Sequence, residues 1–196
     1  MIKKFADYET TKAYTGDAFK LPAGGYICKI IGAKVEDYSW GQVIAIAFDI
    51  NEGDQKDFYK KQFDANTSED KKWKGTYRLN VPKDDGSQQD AWTKRRFKTF
   101  TDALEESNSG YHFDWDEKKF KGKKVGVLFR NKEWEMNGNT GWTTECCAFT
   151  SVGDIREGNF TMPKDKPLTK KANASSAPAF GAFVAADDDD NGDLPF

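Results

Sequence analysis

The sequence lacks any long apolar segment. Its longest run of strictly apolar residues covers only positions 43–48, whereas a membrane-spanning helix needs about 20 apolar residues in a row. The first residues, MIKKFADYETTK, contain no apolar stretch of the kind found in secretory signal peptides. The sequence therefore predicts no membrane association, and we expect the protein to stay in the cytosol.

Residues that commonly carry catalysis or bind metals are scarce. The chain has one histidine, His112, and three cysteines that fit neither a disulfide framework nor a zinc site. The sequence also lacks the motifs of phosphate-binding loops, dinucleotide sites, serine hydrolases and zinc proteases. We therefore expect no enzyme activity, no cofactor and no metal. The one alternative, a magnesium-dependent nuclease, would use Asp114, Asp116 and Glu117.

Basic residues are missing from the end of the chain. Residues 172–196 hold five of the 32 acidic side chains and none of the 30 basic ones, which leaves 27 acidic against 30 basic and a net charge of +3 in residues 1–171. This split is typical of a nucleic-acid-binding body with an acidic tail. A tail that only improves solubility would show the same pattern.

Composition divides the chain at about the same place. From Ala172 onward the sequence consists mainly of Ala, Ser, Gly, Pro and Asp and has no amphipathic period, which predicts disorder. We expect a folded domain in residues 1–168, long enough for a single core, and a disordered acidic tail in residues 169–196.

Strand patterns dominate the body. Ile44, Ile46, Phe48 and Ile50 recur with period two and predict one buried strand face. An Asn-Gly pair in NGNTG marks a hairpin between the last two runs. The five runs that we predict as strands are, in chain order, 25–36, 42–51, 56–63, 125–136 and 142–152.

One helix is predicted between the third and fourth strands, over residues 88–107. Ser87 followed by Asp90 is a helix start signal, and the sequence SNSG marks the stop. Helical spacing predicts one buried side, formed by Phe97, Phe100, Thr101 and Leu104.

This order of elements matches the OB-fold. That fold is a five-stranded Greek-key barrel that binds single strands or oligosaccharides on strands two and three, between the loops that join strands 1–2 and 4–5. We therefore predict a mainly β protein with an OB-fold. Another small α+β or β-sandwich arrangement stays open, because element order alone does not fix a topology.

Single-strand binding requires flat side chains on which bases stack and basic side chains that neutralise phosphates. The sequence supplies both near the two ligand-binding loops and around the third predicted strand. The candidate DNA-binding residues are Tyr38, Trp40, Tyr59, Lys60, Lys61, Lys72, Trp73, Lys74, Tyr77, Arg78, Arg130, Lys132, Trp134 and Trp142. Aromatic residues also build cores, and we expect Trp40 and Trp142, next to loop glycines, to be the exposed ones.

The C-terminus carries the most specific pattern. The acidic run and the ending that follows it comprise Asp187, Asp188, Asp189, Asp190, Asp193, Leu194, Pro195 and Phe196. They resemble the tip of bacterial single-stranded DNA-binding proteins, an acidic run that ends in Asp-Asp-Ile-Pro-Phe. The resemblance implies a partner-binding role, in which Phe196 and its carboxylate enter a basic pocket and the aspartates steer the approach. The departures are Leu194 in place of Ile and the Asn-Gly pair before Asp193.

Three short segments of the body carry a second resemblance. LPAGGY at 21–26, FKGKKVGV at 120–127 and SVGDIREGNF at 151–160 resemble a family of phage and mobile-element proteins, formerly a domain of unknown function, that is associated with replication and recombination genes. The resemblance covers roughly residues 19–168. It implies a role similar to that of single-stranded DNA-binding proteins, namely protecting single strands and presenting them to a replicase or an annealing recombinase. It implies no particular site residues.

Together, these patterns predict a sequence-nonspecific single-stranded DNA-binding protein of a bacteriophage or mobile element, acting in the cytoplasm of a bacterial host. Its tip would recruit replication or recombination proteins, such as an annealing recombinase, helicase, primase or nuclease. The alternative is an interaction protein that mimics the tail tip of the host protein and does not bind DNA itself. The sequence leaves open RNA as the ligand and a homo-oligomeric state.

Overall fold

The structure is a computed structural model that describes residues 3–6, 8–10 and 20–168. The predicted disordered tail at 169–196, with its tip, lies outside the described residues. Within them, no helix is both long and apolar enough to cross a membrane.

Residues 20–168 form one antiparallel sheet with helices on it. The strands are β1 (Gly24–Tyr38), β2 (Gly41–Ile50), β3 (Thr76–Asn80), β4 (Lys124–Met136) and β5 (Asn139–Thr150). Their order in the sheet is β3-β2-β1-β4-β5, and each neighbouring pair is antiparallel. The helices are α1 (Phe58–Ala65), α2 (Gln88–Ser107) and α3 (Val152–Glu157), with a short 3-10 helix at Glu117–Phe120. The protein is therefore mainly β, with α2 between the third and fourth strands as predicted.

The predicted helix is confirmed to the residue. α2 spans Gln88–Ser107, and the hydroxyl of Ser87 accepts a hydrogen bond from the backbone N–H of Asp90 at 3.0 Å. This bond satisfies one of the backbone donors that a helix N-terminus leaves without an intrahelical partner. The side of α2 predicted to be buried is buried, and it consists of Phe97, Phe100, Thr101 and Leu104.

The third predicted strand is wrong. Residues 56–63 do not extend the sheet but lead into α1, and the third strand is Thr76–Asn80. Phe58 and Tyr59 are adjacent and both buried, which a helix allows, whereas neighbouring residues of a strand point to opposite faces. The carboxylate of Asp49 fixes the helix start, because it accepts the N–H groups of Tyr59 at 2.9 Å and Lys60 at 3.0 Å.

The core lies on one face of the sheet. The period-two prediction for β2 is confirmed, since Ile44, Ile46, Phe48 and Ile50 are all at most 4% exposed and belong to the core cluster. Aromatic residues of α2 and of the 3-10 helix cover this face, for example Phe100, whose ring centroid lies 5.3 Å from that of Phe120.

The predicted closed barrel is not present. The five-stranded sheet is open, and within residues 20–168 its edge strands β3 and β5 share no ladder. Side chains meet there instead: the ring centroids of Tyr77 on β3 and Phe149 on β5 are 4.9 Å apart, and Phe100 of α2 lies 4.9 Å from Phe149. The seam between the edge strands is therefore filled by aromatic rings.

The β1–β2 and β4–β5 hairpins join only over a short stretch, where β1 pairs with β4. β1 pairs with β4 only from Gly24↔Phe129 to Lys29↔Lys124, so the rest of β4 continues with β5 as an arm, residues 130–145, here called the β4–β5 arm. The predicted Asn-Gly turn at its tip is confirmed by the positive φ of Asn137 and Gly138. Because β1 and β4 are antiparallel, the β1–β2 tip and the β4–β5 arm point to opposite ends of the sheet.

The chain itself covers one edge of this arm. Lys166 donates its N–H to the carbonyl of Asn131 at 2.8 Å and accepts the N–H of Glu133 at 2.9 Å. The N–H of Leu168 binds the carboxylate of Glu133 at 3.0 Å. The last described residues therefore lie along β4, where β1 would otherwise continue.

Candidate nucleic-acid interface

The outward-facing side of β1, β2 and β3, here called the outer face, carries small residues and is open at its centre. Strand register places Gly32 beside Ala47 and Lys34 beside Ala45, and Ala45 beside Arg78 of β3. A Cβ at Gly32 would meet no described atom within 4 Å. Small residues therefore form the centre of this face, and Lys34 and Arg78 stand beside them as exposed basic groups.

One end of the outer face carries two stacked aromatic rings. Tyr38 and Trp40, at the tip of the β1–β2 hairpin, have centroids 5.3 Å apart and planes inclined by 12°. They are 43% and 53% exposed. The hydroxyl of Tyr38 donates to the carboxylate of Glu36 at 2.9 Å, which holds its ring in place. Both residues were candidates from the sequence, and the structure places them together.

The other end of the outer face opens into a groove of about 420 Å³ beside α1, here called the α1 groove. A β-bulge between Ile30 and Gly32 turns Ile31 outward, and Ile31 is 44% exposed. The indole N–H of Trp73 donates to backbone carbonyls of Phe48 and Gly75, each at 3.1 Å, so this ring is fixed. The residues that line the groove are Lys29, Ile31, Asp49, Ile50, Asn51, Asp57, Lys60, Phe63, Asp64 and Trp73.

Basic candidates lie on α1 and on both sides of Trp73 in the sequence. Lys60 pairs with Asp64 at 2.5 Å, and this hydrogen bond raises the pKa of Lys60 above its usual value. Lys61 donates to the carbonyl of Lys56 at 2.8 Å. Lys72 and Lys74 are exposed on the segment that leads into β3. These lysines remain accessible to phosphates.

Two candidate tyrosines belong to the core, which corrects their interpretation as stacking residues. Tyr59 is 9% exposed and packs edge-on against Phe48, with centroids 5.8 Å apart, and burial raises the pKa of its hydroxyl. Tyr77 pairs with Ile46, which faces the core, and its ring contacts Phe149. The Tyr59 ring presents no open face to a base, and the Tyr77 ring is partly buried against the core.

The β4–β5 arm separates its candidates onto two sides. Arg130 and Lys132 both reach the carboxylate of Glu145, at 2.9 Å and 3.2 Å. Trp134 follows on the same side, and its ring lies against Gly141, where a Cβ would be 2.7 Å from Cζ2 of the indole. Trp142 neighbours Gly141 in the strand and therefore points to the opposite side. It is 42% exposed, as expected for a surface residue.

Sequence reasoning missed two exposed tryptophans. Trp92 on α2 is 59% exposed, and Trp115, before the 3-10 helix, is 78% exposed. The ring of Trp115 stacks on Phe97, with centroids 5.9 Å apart and planes inclined by 13°. A helical projection could have found Trp92, because it lies off the buried stripe of α2. Both residues lie outside the strands of the outer face and serve as controls.

Acidic residues of the described ranges are used in local contacts. No group of three or more His, Cys, Asp or Glu residues there is arranged to hold a metal ion. Of the acidic residues weighed for a nuclease, Asp114 pairs with Lys119, and this hydrogen bond lowers the pKa of the carboxyl group. The amide N–H of Lys118 binds Asp116 at 3.1 Å. These carboxylates serve the local structure of the turn.

Comparison with known proteins gives no matching family model and no similar curated protein. The resemblances seen in the sequence therefore stay predictions, and the case for function depends on the site itself.

Proposed function

We propose that this protein binds single-stranded DNA without sequence preference on its outer face. One observation carries the proposal: the exposed, stacked pair of Tyr38 and Trp40 stands at the end of a sheet face that also bears Lys34 and Arg78. Aromatic rings accept unstacked bases, and basic side chains neutralise the phosphates between them. Bases in a duplex are stacked on each other and cannot use these rings.

The proposal includes an OB-fold interpretation of the open sheet. Strand order and the position of α2 fit that fold, whose ligands lie on strands two and three between the 1–2 and 4–5 loops. In this interpretation, the Tyr38–Trp40 pair and the β4–β5 arm flank the bound strand. Trp134, Arg130 and Lys132 would then contact it at the second boundary.

We further propose a role in replication or recombination of phage or mobile-element DNA in the bacterial cytoplasm. The C-terminal tip, Asp187 to Phe196, would recruit proteins such as a recombinase, helicase, primase or nuclease. The backbone contacts of Lys166 and Leu168 hold the end of the described domain beside the β4–β5 arm, and the tail continues from there in the sequence. Partners bound by the tip would therefore be held near the DNA.

A fluorescence titration of the full chain tests the DNA-binding proposal. Oligothymidine and a duplex of equal length are added at two salt concentrations, and tryptophan emission is followed. We expect quenching by the single strand only, with a log–log salt slope of about 0.7 for each phosphate contacted. Oligouridine in a parallel titration measures the preference for DNA over RNA.

A negative titration would contradict the DNA-binding proposal. If neither polymer changes the emission and neither binds in a salt-dependent way, the DNA-binding proposal is wrong. The alternative, mimicry of a host tail tip, would then gain support if a peptide of residues 187–196 competes with the tail of a bacterial single-stranded DNA-binding protein for its partners.

A further inference from the structure

The α1 groove contains aromatic and aliphatic groups that the fold leaves open to solvent. The bulge in β1 turns Ile31 out of the core, and Phe63 of α1 lies with its ring centroid 5.8 Å from that of Trp73. Phe63 and Trp73 are half-buried, so one side of this ring pair faces the groove. Residues packed only for stability would not require the apolar Ile31 at the surface.

We propose that the α1 groove is a nucleobase site, which holds one base at an end of the single strand bound along the outer face and stacks it on Phe63. This inference rests on the proposed function and goes beyond it, because it assigns a separate base position on α1, outside the sheet. The cavity of about 420 Å³ lies within the roughly 300–1,000 Å³ typical of small-molecule sites.

The chemistry of the groove fits a neutral ring better than a phosphate. Its lining carries two lysines, Lys29 and Lys60, and three aspartates, Asp49, Asp57 and Asp64, so the acidic groups outnumber the basic ones. A phosphate requires an excess of positive charge, whereas a base requires a flat apolar surface. The carboxylate of Asp49 is already used by the N–H groups at the start of α1.

Lys71 supplies the contact to the neighbouring phosphate. Its ammonium lies 4.6 Å from the centroid of the Phe63 ring, and the side chain is exposed. A base that stacks on Phe63 displaces this ammonium from the ring. The displaced ammonium stays tethered next to Phe63 and can pair with the phosphate of the bound nucleotide.

The distance between the groove and the aromatic pair matches a short single strand. Ile31 and Tyr38 are seven residues apart on β1, which corresponds to about 23 Å at about 3.3 Å per residue. Small residues form the face between them. A strand within the range of about 4–16 nucleotides per OB-fold can therefore contact both ends.

A base-resolved experiment tests this assignment with the full chain. The fluorescent base 2-aminopurine, whose emission falls on stacking, is placed at each position of the shortest oligothymidine that binds tightly. Complexes are formed with wild-type protein and with Phe63→Leu, Trp40→Leu and the control Trp92→Leu. Leucine keeps an apolar side chain at the half-buried position 63, and thermal melts verify folding. Ile31→Ala provides a second groove variant at an exposed position.

We expect Phe63→Leu to restore emission at one end of the oligonucleotide and Trp40→Leu to restore it toward the other end, with affinity losses of about fivefold or more. Ile31→Ala should affect the same end as Phe63→Leu. If the oligonucleotide binds and responds to Trp40→Leu, but no position responds to either groove variant, the nucleobase site is overturned while the proposed function stands. If no oligonucleotide binds the wild-type protein, the proposed function itself is wrong.

Discussion

Gly126 on β4 lies directly against Ile155 of α3. A Cβ at Gly126 would be 2.7 Å from Cγ1 of Ile155 and 2.7 Å from the carbonyl oxygen of Ser151. Gly25 on β1 has the same relationship, because its Cβ would be 2.7 Å from both Ile155 and Phe160. These residues come from the three segments that carry the family resemblance. In the structure, these three segments meet where α3 packs on β1 and β4.

Substituting Gly126 with alanine should destabilise the fold. The new methyl group would meet backbone oxygens of Thr150 and Ser151, at 2.9 Å and 2.7 Å, which cannot move aside as a flexible side chain can. Overpacking of this kind costs about 1–3 kcal/mol. Urea denaturation measures the loss as a lower midpoint at unchanged slope. The control is Gly32→Ala, because a Cβ at Gly32 would meet no described atom within 4 Å, and its urea midpoint should equal that of wild type. Equal midpoints for the Gly126 and Gly32 variants would contradict the packing argument.

Asp49→Asn should also lower stability. The carboxylate accepts hydrogen bonds from three backbone N–H groups, those of Ile50, Tyr59 and Lys60. In the asparagine variant, the side-chain NH2 would replace one of the two accepting oxygens and would face a backbone N–H that it cannot bind. Losing a helix N-terminal cap typically costs about 0.5–2 kcal/mol. The control is Asp57→Asn, because Asp57 is the N-cap residue of α1 but makes no side-chain capping bond. Denaturation curves that rank the two variants in the reverse order would refute this role of Asp49.

Trp40→Ala should weaken binding of oligothymidine. A base that stacks on an aromatic side chain contributes about 1–3 kcal/mol, which corresponds to a loss of about 5-fold to 150-fold in affinity. Trp92→Ala removes an equally exposed indole from α2 and should leave the dissociation constant within about twofold. Titrations at one salt concentration compare the two variants, and an equal effect of both would remove Tyr38 and Trp40 from the proposed site.

Lys34→Gln should change the salt dependence of binding. If Lys34 contacts one phosphate, its loss reduces the log–log salt slope by about 0.7. Lys98→Gln removes the same charge from α2, where the ammonium pairs with Asp102, and should leave the slope unchanged. Affinities at four or more salt concentrations give both slopes. Equal log–log salt slopes for wild type and Lys34→Gln would exclude this lysine from the interface.

Much of the fold could be predicted because its signals are local. Ser87 and Asp90 mark the start of α2 through a bond between residues three apart, and Asn137–Gly138 marks a hairpin through backbone conformation alone. The third strand was misplaced because Thr76–Asn80 is short. Asp49 caps α1 from another strand, which is a tertiary contact that no local pattern contains.

The sequence could predict which residue types the candidate site contains, but not which of those side chains are exposed. Trp40 and Trp142 were expected at the surface and are exposed. Tyr59 and Tyr77 occupy the core because of partners distant in sequence, Phe48 and Phe149. Exposure of an aromatic ring depends on what packs against it, and the sequence of a single segment does not contain that information.

The aromatic seam between β3 and β5 determines where this domain loosens first. At Cys28 and Lys29, β1 pairs with a strand on each side, whereas β3 has a ladder only with β2, and its other side meets β5 through Tyr77 and Phe149. Separating two rings breaks no backbone ladder, so local unfolding begins at this seam. Amide hydrogens of β3 should therefore exchange with solvent well before those of Cys28 and Lys29 at the centre of the sheet.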